Sequence, residues 1–439
     1  MLHRSLLSAA AWLFAMGAMT WHDATMGEEI GWSRFQNGGA TTIDRSLPTR
    51  WSPRENIAWT AAVDGYGQST PIVLGDAVVV TSTSGEMKDN YHVACFALAD
   101  GQKRWQMDFE NPSPFANTPM VSRAAPSAVA TSDGNVVAFF EGGLLVGLTL
   151  EGTKLWQCNL VDEFGPITAR HGLAASLETD RDRVYVWVQR EQEPYVMAID
   201  PRTGQELWKV PGLSATSWSS PRLIQVDGRR HLVCSASGQI VGFDPTTGNR
   251  LWVLDDVSNN TSNTPMPAGE NRFVIGASNG RGQTDPAAAA ASNGLVEIVR
   301  NDDGGYSANY RWRAKKATST FGSPVVADNT IAIVNRAGVL YRLDIETGEQ
   351  VDAKRLDAGG IWATPIVAGG NLYVFGYKGT TSVVSLADGS EIASNRCWPE
   401  GDQGDKTPGF GGGNILYAAA VAGDRLILRR GDRLYAIGQ

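Results

Sequence analysis

The chain has 439 residues, 42% of them hydrophobic and 19% charged, with 49 Gly, 20 Pro and a formal net charge of −8. That composition excludes an intrinsically disordered chain. The acidic balance, relieved only by short basic stretches such as "DGRRH" and "LRRGDR", excludes a nucleic-acid partner, which needs a concentrated basic face.

The first residues stand apart. His3 and Arg4 precede an apolar run from Leu6 to about Met19, the layout of a secretory signal peptide over roughly residues 1–20, with Ala15-Met16-Gly17 as a cleavage site. The mature protein is expected to be exported, periplasmic or extracellular, with no transmembrane span left after cleavage. No Cys lies near that end, so lipidation through an N-terminal cysteine is not expected. From about residue 32 to 439 the chain reads as one domain. "ENIAWTAAV", around Trp59, looks like an outer strand with nothing before it.

From there two phrases alternate. The first is a Ser/Thr-Pro lead-in to an apolar strand, with Pro71, Pro126, Pro221, Pro265, Pro324 and Pro365. "RHGLAASLETDRDRVYVWVQ" fills the same slot without Pro, and "FGGGNILYAAAVAGDRLILRRGDRLYAIG" fills it at the C-terminus. The second phrase is an Asp/Gly turn before a Trp. "AIDPRTGQELW" (198–208) and "GFDPTTGNRLW" (242–252) are its fullest forms, and Trp105, Trp156 and Trp312 end others. In "RLDIETGEQV" Val351 stands at the expected Trp, and "VVSLADGSEI" keeps the turn alone. Eight units result. The six steps from Pro71 to Pro365 span 294 residues, about 49 per unit.

Alternation within each unit predicts four strands joined by Gly/Asp/Asn turns. A four-stranded antiparallel sheet cannot bury both faces alone, and radial stacking of such sheets solves this. The predicted fold is all-β, an eight-bladed β-propeller of four-stranded antiparallel blades. The last unit is one strand short at Gln439, so the strand around Trp59 is expected to complete the last blade. Trp59, Trp105, Trp156, Trp208, Trp252 and Trp312 are expected to lie between neighbouring blades, each burying a large aromatic surface. Cys95, Cys158, Cys234 and Cys397 sit in strand-like flanks and are expected to be buried free thiols.

Ala198, Asp200, Gly204 and Trp208 fill the tryptophan-docking pattern Ala-x-Asp-x-x-x-Gly-x-x-x-Trp of the quinoprotein-like (PQQ-repeat) propellers. Asp244, Gly248 and Trp252 repeat it, with Gly242 for Ala. The resemblance covers essentially all of the chain from residue 32. It implies one of two functions. One branch holds PQQ and calcium in its central funnel beneath a vicinal disulfide and oxidises alcohols; this sequence has no Cys-Cys pair. The other resembles BamB, a cofactor-free binding scaffold of the outer membrane. That branch is lipidated on an N-terminal cysteine which this chain lacks.

Local chemistry is sparse. Asp180, Asp182, Asp302 and Asp303 are the carboxylates a calcium site could draw on, but all sit where turns use Asp as a cap. His92, His171 and His231 fall in three different units. No Gly-x-Ser-x-Gly elbow supports a hydrolase. "SNGRGQTDPAAAAASNG" (278–294) reads as a surface insertion in the fifth unit.

The residues just before each inner strand are expected to ring the funnel: Gln68, Arg123, Arg170 with His171, Trp218, Asn263, Phe321, Trp362 and Phe410. Aromatics and arginines are enriched in binding patches. Trp218, Phe321 and Trp362 are expected to face one end of the channel, opposite Arg123 and Arg170. The expected function is a non-catalytic, monomeric envelope scaffold, without cofactor, binding a protein or polymer ligand at its funnel. The alternative is a PQQ- and calcium-dependent oxidoreductase with an atypical site.

Overall fold

Apolar strands punctuated by glycine turns form eight four-stranded antiparallel sheets, the blades of a propeller, with almost no helix. The computed structural model describes residues 31–39, 42–43, 46–116, 121–213, 217–279, 286–402 and 415–438. The expected signal segment and Phe410 lie outside them. Blades 1 to 7 span 72–110, 129–159, 178–211, 222–254, 266–313, 325–355 and 366–396. Blade 8 takes its three inner strands from 416–437 and its outer strand from Ile57–Ala62.

That outer strand runs antiparallel to Arg433–Ile437, with Trp59 opposite Ala436 and Ala62 opposite Arg433. Two distant chain segments thus close the ring. A further short strand, Thr42–Ile43, pairs in parallel with Val367 and Ala368 at the inner edge of blade 7, which nothing in the repeat pattern predicted.

The middle strands are buried on both faces, as in Val184–Val188, whereas outer strands such as Glu206–Pro211 alternate. The reason is that each apolar cluster takes one face from each of two neighbouring blades. Val79, Val93 and Cys95 of blade 1, for example, pack with Ala138 and Val146 of blade 2.

The turn glycine and the tryptophan meet at these seams. Trp156 Nε1 donates to the carbonyl of Pro201 (2.9 Å), and its ring lies on Gly204 of the next blade, where an added Cβ would sit 2.5 Å from it. Gly204 also has φ 73°, so conformation and space both demand glycine. Trp59, Trp105, Trp208 and Trp312 repeat the contact, donating to Leu98, Leu150, Pro245 and Ile345 at 2.8–3.1 Å.

Trp252 departs from this pattern. The turn of blade 5 is the longer Asn301–Gly305, and the indole instead donates to His231 Nδ1 (3.1 Å) within its own blade. The imidazole must be neutral to accept that bond. Burial pushes its pKa from 6.5 down to about 4, against a partial pull from Asp244 and Asp227. Between those two values the unfolded chain binds more protons than the folded one, so this contribution to stability is lost as pH falls through the window. Thermal melts between about pH 8 and pH 4.5 are expected to show it, and His231→Asn should flatten the acid side of the profile.

Blade 6 corrects the sequence reading by one position. Val351 is the extra residue of a bulge and is 55% exposed, so the position of the missing tryptophan belongs to Asp352, which faces Arg342. In blade 3 the same pair is Ala198 and Trp208. Arg342 is buried, forks onto Asp352, and donates through Nη1 to the carbonyl of Leu386 (2.6 Å) beside Gly389 of blade 7. A charged pair therefore fills the seam that an indole fills elsewhere.

All four cysteines are free, but Cys158 is only half-buried at the outer strand of blade 2, with its thiol 3.3 Å from Glu163. In the fifth-blade insertion, Pro286–Ala290 forms a short helix. Behind it the buried Asn293 accepts the N–H groups of Ala277 and Ser319, tying the insertion to the blade; residues 280–285 are outside the described set.

Candidate functional site

The Ser/Thr of each lead-in has a role that the sequence did not disclose. Thr70 N–H donates to Ser127 Oγ, Ser127 to Ser176, Ser176 to Ser220, Ser220 to Thr264, Thr264 to Ser323 and Ser323 to Thr364, all at 2.9–3.0 Å. These N–H groups point sideways between inner strands, away from any ladder partner, and the next blade's hydroxyl satisfies them. The result is a girdle around the channel through blades 1 to 7. It carries over to Ser176 in the blade without the proline, so the hydroxyl and not the proline is its common element.

Two residues before each hydroxyl, a ring of side chains lines the channel: Gln68, Ala125, Ala174, Trp218, Ser262, Phe321 and Trp362, with Tyr417 from blade 8. Trp218, Phe321 and Trp362 therefore share one cavity, with Ala125 and Ala174 on the side opposite Phe321 and Trp362. Phe321 and Trp362 have ring centroids 5.0 Å apart, Trp362 and Tyr417 5.6 Å, and Tyr417 and Tyr66 5.9 Å. His171 meets Trp218 at 5.6 Å across the blade 3–blade 4 seam.

The arginines do not stand opposite this wall. Arg123 is 3% exposed, its guanidinium stacked 3.7 Å over Tyr66, with Nε and Nη1 lacking hydrogen-bond partners among the described residues. Arg170 is exposed and outside the funnel lining. Asn263 is fully buried, donating to the carbonyl of Thr320 (2.9 Å). The cause is register. Connections of different length precede the inner strands, so the ring positions of these blades fall at Ala125, Ala174 and Ser262, after Arg123 and Arg170 and one residue before Asn263.

The N-terminal segment closes the other end of the channel. Trp32 pairs with Val73 of blade 1, Ser33 accepts from Ala130 of blade 2, and Arg34 meets Glu178 of blade 3 at 2.8 Å. Arg222 of blade 4 donates to the carbonyl of Phe35 (3.1 Å) and to Glu178 (3.0 Å). Phe35 and Gln36 thereby form the floor of the cavity. Glu178 and Arg222 are both 1% exposed, and burial lowers Arg222 to about 10.

What remains is a cup of about 150 Å³. It is smaller than the roughly 300 Å³ at which small-molecule pockets begin. Beside it, sharing Ser262, Phe321 and Trp362, a groove of about 280 Å³ runs past Ser319, Arg336 and Tyr377. No carboxylate lines either one among the described residues, although the chain as a whole is acidic.

The donor set does not suit a calcium–quinone pair, which needs carboxylate oxygen at the metal. Among the described residues no three His, Cys, Asp or Glu side chains cluster. Asp180 is spent on the N–H groups of Asp182 and Arg183 and on Tyr185, and Asp303 on Gly305. His92, His171 and His231 stay in separate blades.

A family model described as outer membrane protein assembly factor BamB matches residues 53–192 and 292–438. The BamB of Burkholderia pseudomallei is 24% identical over 292 residues, covering 64% of this chain and 65% of that protein. The BamB of Yersinia pestis is 23% identical over 293 residues, covering 65% and 63%. The match thus spans less than two thirds of either relative. Among solved structures, BamB from Moraxella catarrhalis superposes with TM-score 0.58 at 14% identity, covering 86% of this chain and 95% of that one. A europium-containing methanol dehydrogenase superposes with TM-score 0.59 at 11% identity, covering 92% and 91%. At those identities the structural likenesses establish the fold alone.

Proposed function

This chain belongs to the family of the outer membrane protein assembly factor BamB, and from that membership we propose that it is an exported envelope scaffold that binds a protein or polymer ligand at its funnel mouth. The observation that carries the reading is a funnel walled by aromatics at its open end and floored by the chain's own N-terminal segment. A cup of about 150 Å³ is too small to swallow a ligand, so recognition takes place across the mouth, where Phe321 is 40% exposed. Flat aromatic faces give apolar contact at little entropy cost, and the adjoining groove adds hydroxyls and the exposed Arg336 for directed bonds. Export rests on the segment at residues 1–20, and no helix among the described residues is long and apolar enough to cross a membrane.

Capture from the envelope fraction by the immobilised full-length protein tests the reading, with the partner identified in the eluate. Replacing Trp218, Phe321 and Trp362 together by Ala is expected to reduce capture of that partner at least about tenfold. Hot-spot aromatics each contribute about 2 kcal/mol or more. The melting temperature should fall by only a few degrees, since none of the three is fully buried. Undiminished capture by a folded triple variant would overturn the funnel as the binding surface.

A further inference from the structure

We propose that Ser84, His92 and Asp108 form a hydrolytic site on blade 1, outside the funnel, in which Ser84 is acylated by small carboxylic esters. The three residues come from adjacent strands, Ala77–Ser84, Asn90–Ala97 and Lys103–Glu110. His92 lies directly across from Asp108, and Ser84 lies diagonally from His92, next to its cross-strand partner Ser82. Alternation places all three on the face shared with Val78, Val80, Ala94 and Phe96, the one turned toward blade 8. Ser84 Oγ is 2.8 Å from His92 Nε2, and His92 Nδ1 is 2.7 Å from Asp108 Oδ1.

Those two distances set the chemistry. The carboxylate at Nδ1 holds the ring in the tautomer whose Nε2 carries the lone pair, so Ser84 Oγ–H donates to it and the ring can act as a base toward Ser84. Asp108 is itself steadied by Gln106, whose amide donates to the same Oδ1 (2.9 Å). Gln106 in turn accepts from Lys103 (3.2 Å), which is paired with Asp64 (2.8 Å). His92 is 8% exposed and Asp108 lies open to water, so the base is sheltered while the site stays reachable from solvent.

The turn after Ser84 opens on Gly85, with φ 92°. The N–H groups of Gly85 and Glu86 make no hydrogen bond among the described residues. In the proposed site these two unpaired N–H groups, next to Ser84 in the chain, are the ones that would receive the carbonyl oxygen as it develops charge. Met87, 42% exposed in the same turn, is the apolar side chain that a short acyl group would meet in the proposed site.

In the proposed reaction Ser84 Oγ attacks the ester carbonyl as its proton passes to His92 Nε2. The C–O bond to the alcohol breaks, the alcohol leaves with that proton, and acyl-Ser84 remains. Water then attacks the acyl carbon, giving one proton to His92 and releasing the carboxylic acid as Ser84 takes the proton back. No oxidant, reductant or metal is consumed. This site is missed by a search for a Gly-x-Ser-x-Gly elbow, because its members are joined by strand pairing and not by a local motif.

The test uses the full chain, a fluorophosphonate probe and p-nitrophenyl acetate. The wild type is expected to be labelled, with the mass shift on the peptide containing Ser84, and Ser84→Ala should abolish both labelling and turnover. His92→Gln should slow both about 100-fold or more, as for loss of a general base. Asp108→Asn, acting through the ring, should lower kcat with KM unchanged. Melting curves within a few degrees of the wild type confirm that the variants fold. Labelling elsewhere in the chain, or turnover equal in the wild type and Ser84→Ala, overturns the proposal.

Discussion

A chain beginning at residue 65 is expected to lose its cooperative thermal transition, or to melt far below the full-length protein. The truncation removes Ile57–Ala62 and leaves Arg433–Ile437 as an unpaired edge. It also removes Trp59, whose indole bonds Leu98 and packs on Gly101, the contact that joins blade 8 to blade 1. Losing one buried tryptophan alone costs about 3–5 kcal/mol. With the strand pairing and the channel floor of residues 32–36 gone as well, the loss approaches the 5–15 kcal/mol that holds a whole domain. Calorimetry of the two chains decides the matter. Matching transitions would show that the ring stays closed without its N-terminal strand.

Trp208→Ala is expected to destabilise the fold by about 3–5 kcal/mol, because the ring leaves a cavity and the Pro245 carbonyl loses its donor. Arg342→Ala should cost about 1–3 kcal/mol by another mechanism: it deprives the Leu386 carbonyl of its donor and leaves the partly exposed Asp352 without its cation. Val351→Ala, at an exposed bulge, should change stability by less than about 0.5 kcal/mol. Urea titration of the three variants separates these cases. A large loss at Val351 with a small one at Arg342 would mean that the seam runs through Val351 after all.

The lesson of blade 6 is one of register. The spacing from Gly348 reaches Asp352 just as the spacing from Gly204 reaches Trp208, whereas the apolar Val351 stands one residue short of it. A bulge in the outer strand turns that residue outward, and a single-residue shift exchanges inside for outside. The funnel ring suffered likewise. Trp218, Phe321 and Trp362 lie two residues before a girdle hydroxyl and line the cavity, whereas Arg123, Arg170 and Asn263 stand at other offsets and do not.

The sequence by itself determined the four strands of each blade, the turn chemistry, the eightfold repeat and the closing strand around Trp59. All of these are local patterns, repeated often enough that errors in one unit are corrected by the others. Only the tertiary structure decided what lies next to what across blades. Arg342 takes the place of an indole, the hydroxyls of Ser127 to Thr364 belt the channel, and residues 32–36 floor it. It also decided how strand pairing brings Ser84, His92 and Asp108 into one chain of hydrogen bonds. The physical reason is that a repeat records each unit's own folding rules, while a site is built from residues far apart in sequence. Their meeting depends on seam packing and strand register, to which no short stretch of sequence is tied.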